Sequence, residues 1–210
     1  MRCANHKSLV CLVTFILLVS ANSLYPADSL KSKIAILHKI DDDFRRLKSN
    51  DRVFVGDGIR IFIQPEVECY FYIVYSDPNF SQLLNSESTD KELNPFQLSS
   101  SDTLLLPSAE HYYIFDDSEP EVRITIISSL TQIDDVEKLF EESNAVNSEV
   151  WLNTEKIISE KFSNPLQGDV IKPIQIAGNV SAINEEFLEN QMYLVGKKVI
   201  IRKYNIEIKK

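Results

Sequence analysis

The stretch from Glu68 to Tyr75 constrains the fold more than any other, because nearly every residue in it is aromatic or β-branched. Successive side chains of a strand point to opposite faces, so a strand that is apolar on both faces must be covered on both. This run predicts a strand inside a two-sheet core, and its neighbours supply the other strands. Val53 and Val55 alternate up to Gly56-Asp57-Gly58. Beyond it Ile59, Ile61 and Ile63 lie on one face, with Arg60, Phe62 and Gln64 on the other. That pattern predicts two strands across a tight glycine turn. Short strands follow at Phe80 to Leu84, Leu104 to Leu106, His111 to Phe115 and Val122 to Ser128. The segments between them are the turn Ser76-Asp77-Pro78-Asn79, a polar loop over Asn85 to Leu98, and Asp116-Asp117-Ser118-Glu119-Pro120. Strands at this spacing predict a sandwich or barrel.

Two further strands are expected late in the chain, at Val170 to Ala177 and Lys197 to Lys209. In the last, Ile200, Tyr204, Ile206 and Ile208 share one face with Arg202 as the single charged exception. An isolated strand is marginal in water, so this one is expected to complete the same core as the strands of 52 to 128. Helical spacing is read in three places. Leu30, Ile34, Leu37, Phe44 and Leu47 predict an N-terminal helical segment within residues 24–50. Ile133, Val136, Leu139 and Phe140 predict a helix near 132–142, and Val150, Trp151, Ile157, Ile158 and Phe162 one near 149–162. The fold class expected is mainly β with helices (α+β): an antiparallel β-sandwich-like domain over 51–210, with a two-helix excursion before the closing strands.

The first residues predict export. Arg2 and Lys7 precede an apolar run from Leu9 to Val19, broken only by Thr14 and followed by Ser20, Ala21, Asn22 and Ser23. This is the order of a secretory signal peptide over residues 1–23, with cleavage expected between about residues 21 and 27. Ala21 and Ser23 suit a cut before Leu24, and Val19 and Ala21 one before Asn22. The apolar run falls short of the roughly 20 residues that span a bilayer, so no stable membrane span is expected. Loss of Arg2 and Lys7 takes the 22 basic residues to 20 against an unchanged 31 acids, a net charge of −11. A surface so acidic repels phosphate backbones, which argues against a nucleic-acid partner. Cys69 is left as a single thiol, so no internal disulfide is expected and stability must come from the core. Five glycines in 210 residues leave no room for a phosphate-binding loop.

The middle of the chain sets these pieces in a particular order: the strand Val55-Gly56-Asp57-Gly58-Ile59-Arg60-Ile61-Phe62-Ile63, the aromatic strand Cys69 to Tyr75, Leu106-Pro107, Tyr113-Ile114-Phe115, and Ile124-Thr125-Ile126-Ile127-Ser128-Ser129 before a helix. Over roughly residues 50–140 it resembles the bacterial domain-of-unknown-function family numbered forty-three eighty-four. The chain differs from that pattern at Asn85, where proline usually follows the leucine, and at Glu119-Pro120, in place of a glycine. The resemblance implies a β-sandwich-like module, often exported or attached to other bacterial domains, and brings no catalytic residues with it.

No Gly-x-Ser-x-Gly elbow, His-Glu-x-x-His or phosphate loop occurs, so no catalytic, cofactor-binding or metal-ligating residue is assigned. Asp41, Asp42 and Asp43 are expected to be a solvated helix face, because successive helical residues point about 100° apart and cannot converge on one ion. Asp116, Asp117, Glu119 and Glu121 sit on a loop that can fold back, but lack the glycine and ligand spacing of a calcium loop. His38 and His111 are expected to be structural, and Cys69 to be a buried, inert thiol. Tyr70, Tyr72, Tyr75, Tyr112 and Tyr113 could stack a sugar or peptide, although aromatic strands usually pack a core. Asn79-Phe80-Ser81 and Asn179-Val180-Ser181 match the glycosylation sequon, which matters only in a eukaryotic source.

Two functions from different classes are compatible with these residues. The first is an exported, noncatalytic interaction or binding module of the bacterial cell envelope or exterior, whose partner is another envelope or extracellular protein or a glycan. The alternative is a secreted hydrolase with paired loop carboxylates, one from Glu87 to Glu92 and one from Asp116 to Glu121. A pocket with converging carboxyl groups favours the hydrolase; an open sheet face or edge favours the module.

Overall fold

A computed structural model of the chain describes residues 29–41, 43–86, 95–100, 102–162, 168–170, 187 and 190–210. The predicted α+β class holds: among the described residues two sheets face each other, and two helices cover the outside of one. In the first sheet β1 (Leu30–Ile40) is central. Its residues 32–39 pair antiparallel with β4 (Gly58–Pro65); its other edge pairs with β13 (Met192–Gly196) and then β2 (Asp43–Arg46). Short strands β8 (Leu104–Leu106) and β9 (Tyr113–Ile114) follow β4, and β12 (Gly168–Val170) lies beyond β13. The second sheet runs β11 (Ala145–Asn147), β6 (Phe80–Leu83), β5 (Cys69–Ser76), β10 (Glu121–Ser129), β14 (Val199–Lys209) and β3 (Asp51–Phe54), with β7 (Gln97–Leu98) on β5. Among the described strands every pairing is antiparallel except β14 with β3.

The alternating patterns place the core correctly. Ile59, Ile61 and Ile63 meet Phe71, Ile73, Val122, Ile124, Ile126, Ile200, Tyr204 and Ile206 between the sheets. Each fully buried aliphatic side chain there contributes about 1.5–3 kcal/mol. The aromatic strand β5 is covered on both faces, as its composition requires, but by two different partners. Cys69, Phe71 and Ile73 face the other sheet. Tyr72 and Val74 face outward under helices α1 (Asp134–Phe140) and α2 (Ser148–Lys161), against Val136, Phe140, Trp151 and Ile158. The helices fall where the spacing puts them. The buried stripe of α2 is Ser148, Trp151, Glu155 and Ile158, whereas Val150 and Ile157 are exposed. The closing strand joins the common core as expected, lying between β10 and β3 with Ile200, Tyr204, Ile206 and Ile208 buried.

The N-terminal helical segment is overturned: residues 30–46 form the hairpin β1–β2. Leu30, Ile34 and Ile36 enter the inter-sheet core, while Ala35 and Leu37 pack outside with Phe62 and Phe187. A strand buried on both faces loses its period-two signature, and the apolar residues that remain fit a helical stripe equally well. Asp41 and Asp43 therefore lie at a hairpin turn, Asp41 with φ of 53°, and not on a helix. The tight turn at 55–57 is real, but its strands do not pair with each other. β3 joins the second sheet and β4 the first, so the turn is a corner between sheets. Gly56 has φ of 93° with open space around it, so backbone conformation alone calls for glycine. Asp57 accepts the Phe54 N–H (2.8 Å) on its carboxylate, and Phe115 N donates to its carbonyl (3.0 Å). The strand at 111–115 shortens to Tyr113–Ile114. Of the strand expected at 170–177, only residue 170 lies within the described chain, as the end of β12.

Candidate functional site

Where β6 and the Asp77 turn of one sheet approach β9 and the 115–119 segment beside the other, the sandwich opens into a cleft of about 540 Å³. Its walls include core side chains, among them Ile59, Leu83, Val122, Ile124 and Ile208. Tyr75 and Phe80, with ring centroids 5.9 Å apart, form part of one wall, and Tyr113 and Phe115 part of another. Phe80 and Ile114 are 42% and 61% exposed, so the mouth keeps apolar surface in water.

Three carboxylates line this cleft, and each is held in place by neutral donors. Asp77 Oδ1 accepts the backbone N–H groups of Asn79 (2.7 Å) and Phe80 (2.9 Å). Asp116 Oδ1 accepts the Ser118 N–H (3.0 Å) and hydroxyl, and these bonds hold its carboxyl below the ordinary range. Glu119 Oε1 accepts the Asn79 side-chain amide at 2.6 Å. Among the described residues, none of those lining the cleft is Lys, Arg or His. The acids act on a common point: the Tyr75 hydroxyl is pushed up to about 12, first by burial and then by Asp77, Asp116 and Glu119. Burial alone pushes Tyr113 up to about 12.

The five tyrosines singled out in the sequence separate. Tyr75 and Tyr113 line the cleft. Tyr72 lies under the helices, its hydroxyl donating to Glu137 (2.7 Å) and accepting the Ile133 N–H (2.9 Å); Tyr70 packs beside it. Tyr112 lies outside the first sheet, with the Arg60 guanidinium 3.9 Å from its ring centre. The acidic loop separates too. Asp116 and Glu119 reach the cleft, Asp117 pairs with Lys210 at the surface, and Glu121 begins β10. Among the described residues no group of three His, Cys, Asp or Glu side chains is arranged to hold a metal.

His38 is buried and structural. Arg45 Nε donates to its Nδ1 (3.2 Å), so the ring proton sits on Nε2 and is donated to Asp57 Oδ2 at 2.7 Å, tying the β1–β2 hairpin to the corner. His111 stays exposed beside Ser108 Oγ at 2.7 Å, and its carbonyl accepts from Arg60 Nε. Cys69 is buried, and its thiol is pushed up to about 12 by burial and then by Glu68. The whole Glu87 to Glu92 loop and Asn179 lie outside the described residues, whereas Asn79 is exposed and donates to the cleft residue Glu119. No family model, curated protein or solved structure matches this chain. No described helix is long and apolar enough to cross a membrane.

Sequence reasoning missed Asp77, Gln82 and Asn144 as cleft residues. Asp77 reads locally as a turn residue, and Asn144 is brought in by the pairing of β11 with β6, which no local pattern announces.

Proposed function

We propose that this chain is an exported, noncatalytic binding module that holds its partner in the cleft between the sheet ends. The observation that carries this reading is the cleft itself. It is within the size range of ligand sites, about 300–1,000 Å³, and combines aromatic walls with a few fixed polar groups. The leader-like residues 1–23 support export, and kinship with the family numbered forty-three eighty-four is proposed from the order of the strands. The partner is another exported polypeptide or a glycan.

The carboxylates also meet part of what a hydrolase requires. Glycoside cleavage needs one carboxyl group that keeps its proton to act as the acid. Asp116 moves in the opposite direction, and Asp77 Oδ1 is occupied in closing its own turn. Neither His38 nor His111 lines the cleft, so it also lacks a histidine acid or base.

Affinity capture from the envelope and medium of the source cells tests the reading. The unaltered chain is expected to retain a partner that the double variant Phe80→Ala, Ile114→Ala releases, with both proteins melting alike because both side chains are already exposed. Equal retention by the variant places the binding surface elsewhere.

A further inference from the structure

We infer that the cleft recognises a lysine or arginine side chain next to an apolar residue on an extended segment of a partner polypeptide. The inference rests on the binding-module reading and adds the chemistry of the ligand. Three carboxylates line a space that has no basic side chain among the described residues of its lining, and their bonds come from backbone amides, a serine and an asparagine. Among the described residues, the lining of the cleft therefore has fixed negative charge and no basic side chain to balance it. A guanidinium or ammonium group supplies the balancing charge, and carboxylate pairing and cation–π contact with the rings of Tyr75 and Phe80 are both open to it.

The remaining walls select against a bare inorganic cation. Hard cations need several oxygens converging on one point, and among the described residues no group of three acids is arranged to hold a metal, while Ile59, Leu83, Val122 and Ile124 give the cleft apolar wall. An alkyl stem covers such a wall while its charged end reaches the carboxylates. One basic side chain does not fill about 540 Å³, which leaves room for an apolar neighbour. The exposed Phe80 and Ile114 offer that neighbour a contact at the mouth.

The test is calorimetric titration of the full chain with capped pentapeptides Ser-Leu-Arg-Leu-Ser, alongside versions with central Lys, Gln or Glu. The Arg and Lys peptides are expected to bind about tenfold more tightly than the Gln peptide, the Glu peptide more weakly still. Asp116→Asn and Glu119→Gln should each weaken the Arg peptide about threefold, leave the Gln peptide unchanged and leave the melting temperature unchanged. The preference should fade near 1 M salt, where the Debye length is about 3 Å. If the Gln or Glu peptide binds as tightly as Arg and competes for the cleft, the charge assignment fails while the binding-module reading stands. If arginine amide alone binds as tightly as the peptide, the ligand is a free amine and the polypeptide assignment fails. If no peptide binds and the Phe80→Ala, Ile114→Ala pair does not alter partner capture, both readings fail.

Discussion

The outer side of the second sheet and the cleft at its end are built from the same residue types, yet one is closed and the other open. Under the helices, Glu155 is buried and satisfied from within. It accepts from Thr125 Oγ1 (2.7 Å) and pairs with Lys203 (3.1 Å) and Arg123 (3.4 Å). Tyr72 there has both of its hydrogen-bonding partners. In the cleft, three residues along the same strand, Tyr75 faces carboxylates supported by neutral donors, with no cation among the described lining residues. A carboxylate whose counter-charge is supplied by the chain strengthens the fold, whereas one without it is available to a partner.

Deleting residues 197–210 attacks both regions at once and has the largest expected effect. It removes β14 from between β10 and β3 and strips Ile200, Tyr204, Ile206 and Ile208 from the core. The truncated chain should show no cooperative thermal transition. A transition near the full-length midpoint would falsify the single core. Trp151→Ala comes next: the indole is fully buried against Phe140, and its loss should cost about 3–5 kcal/mol in denaturant unfolding. A change within about 0.5 kcal/mol, the range of ordinary surface substitutions, would mean that the helices do not seal the sheet.

The acids sharpen the comparison. Glu155→Ala should cost about 1–3 kcal/mol, because Thr125 and two cations lose their acceptor, whereas Asp116→Asn in the cleft should leave unfolding by denaturant unchanged at neutral pH. Equal losses would erase the distinction drawn between the regions. Asp116 is fully exposed, so its bonds to Ser118, which hold its carboxyl below the ordinary value of 3.8, are too weak to register in unfolding. The depressed carboxyl should instead be visible directly, its protonation followed by NMR beginning only as pH falls below 3.8.

The tyrosines give the smallest effects. Tyr72→Phe should cost about 1–2 kcal/mol by leaving the Ile133 N–H without its acceptor, while Tyr75→Phe should be nearly neutral at pH 7. In alkali, Tyr75 and Tyr113 are raised from 10.0 to about 12 and Cys69 from 9.0 to about 12. The stability tied to their neutral forms is complete below the ordinary values and is lost as pH rises towards 12. Tyrosinate absorbance should therefore lag behind that of the unfolded chain over this range, and a thiol reagent at pH 8 should label Cys69 far more slowly than after unfolding.

Where one face of a strand met a continuous core, the sequence was readable. Ile59, Ile61 and Ile63, and Val122, Ile124 and Ile126, alternate because their other faces carry different chemistry. It misled where both faces are buried, as in β1, and where a turn joins different sheets, as at Gly56, because alternation does not encode which strand is the partner. In the cleft, Asp116 and Glu119 were visible as an acidic loop and Tyr75 as a candidate platform. What could not be read is that Asp77, Phe80 and Asn144 join them, since that depends on the pairing of β6 with β11 and on the approach of the two sheets.

The parallel pairing of β14 with β3 also sets a timetable. Arg52 and Glu207 form an ion pair (2.8 Å) across 155 residues of chain, and β3 has no place in its sheet until β14 has arrived. A polypeptide threaded through a ribosome tunnel or a translocation pore, amino end first, cannot finish this architecture midway. Contacts this distant in sequence slow folding, and until residues 199–209 emerge one edge of β10 remains unpaired. The slower that pairing is, the longer the bare edge can join another molecule's strand.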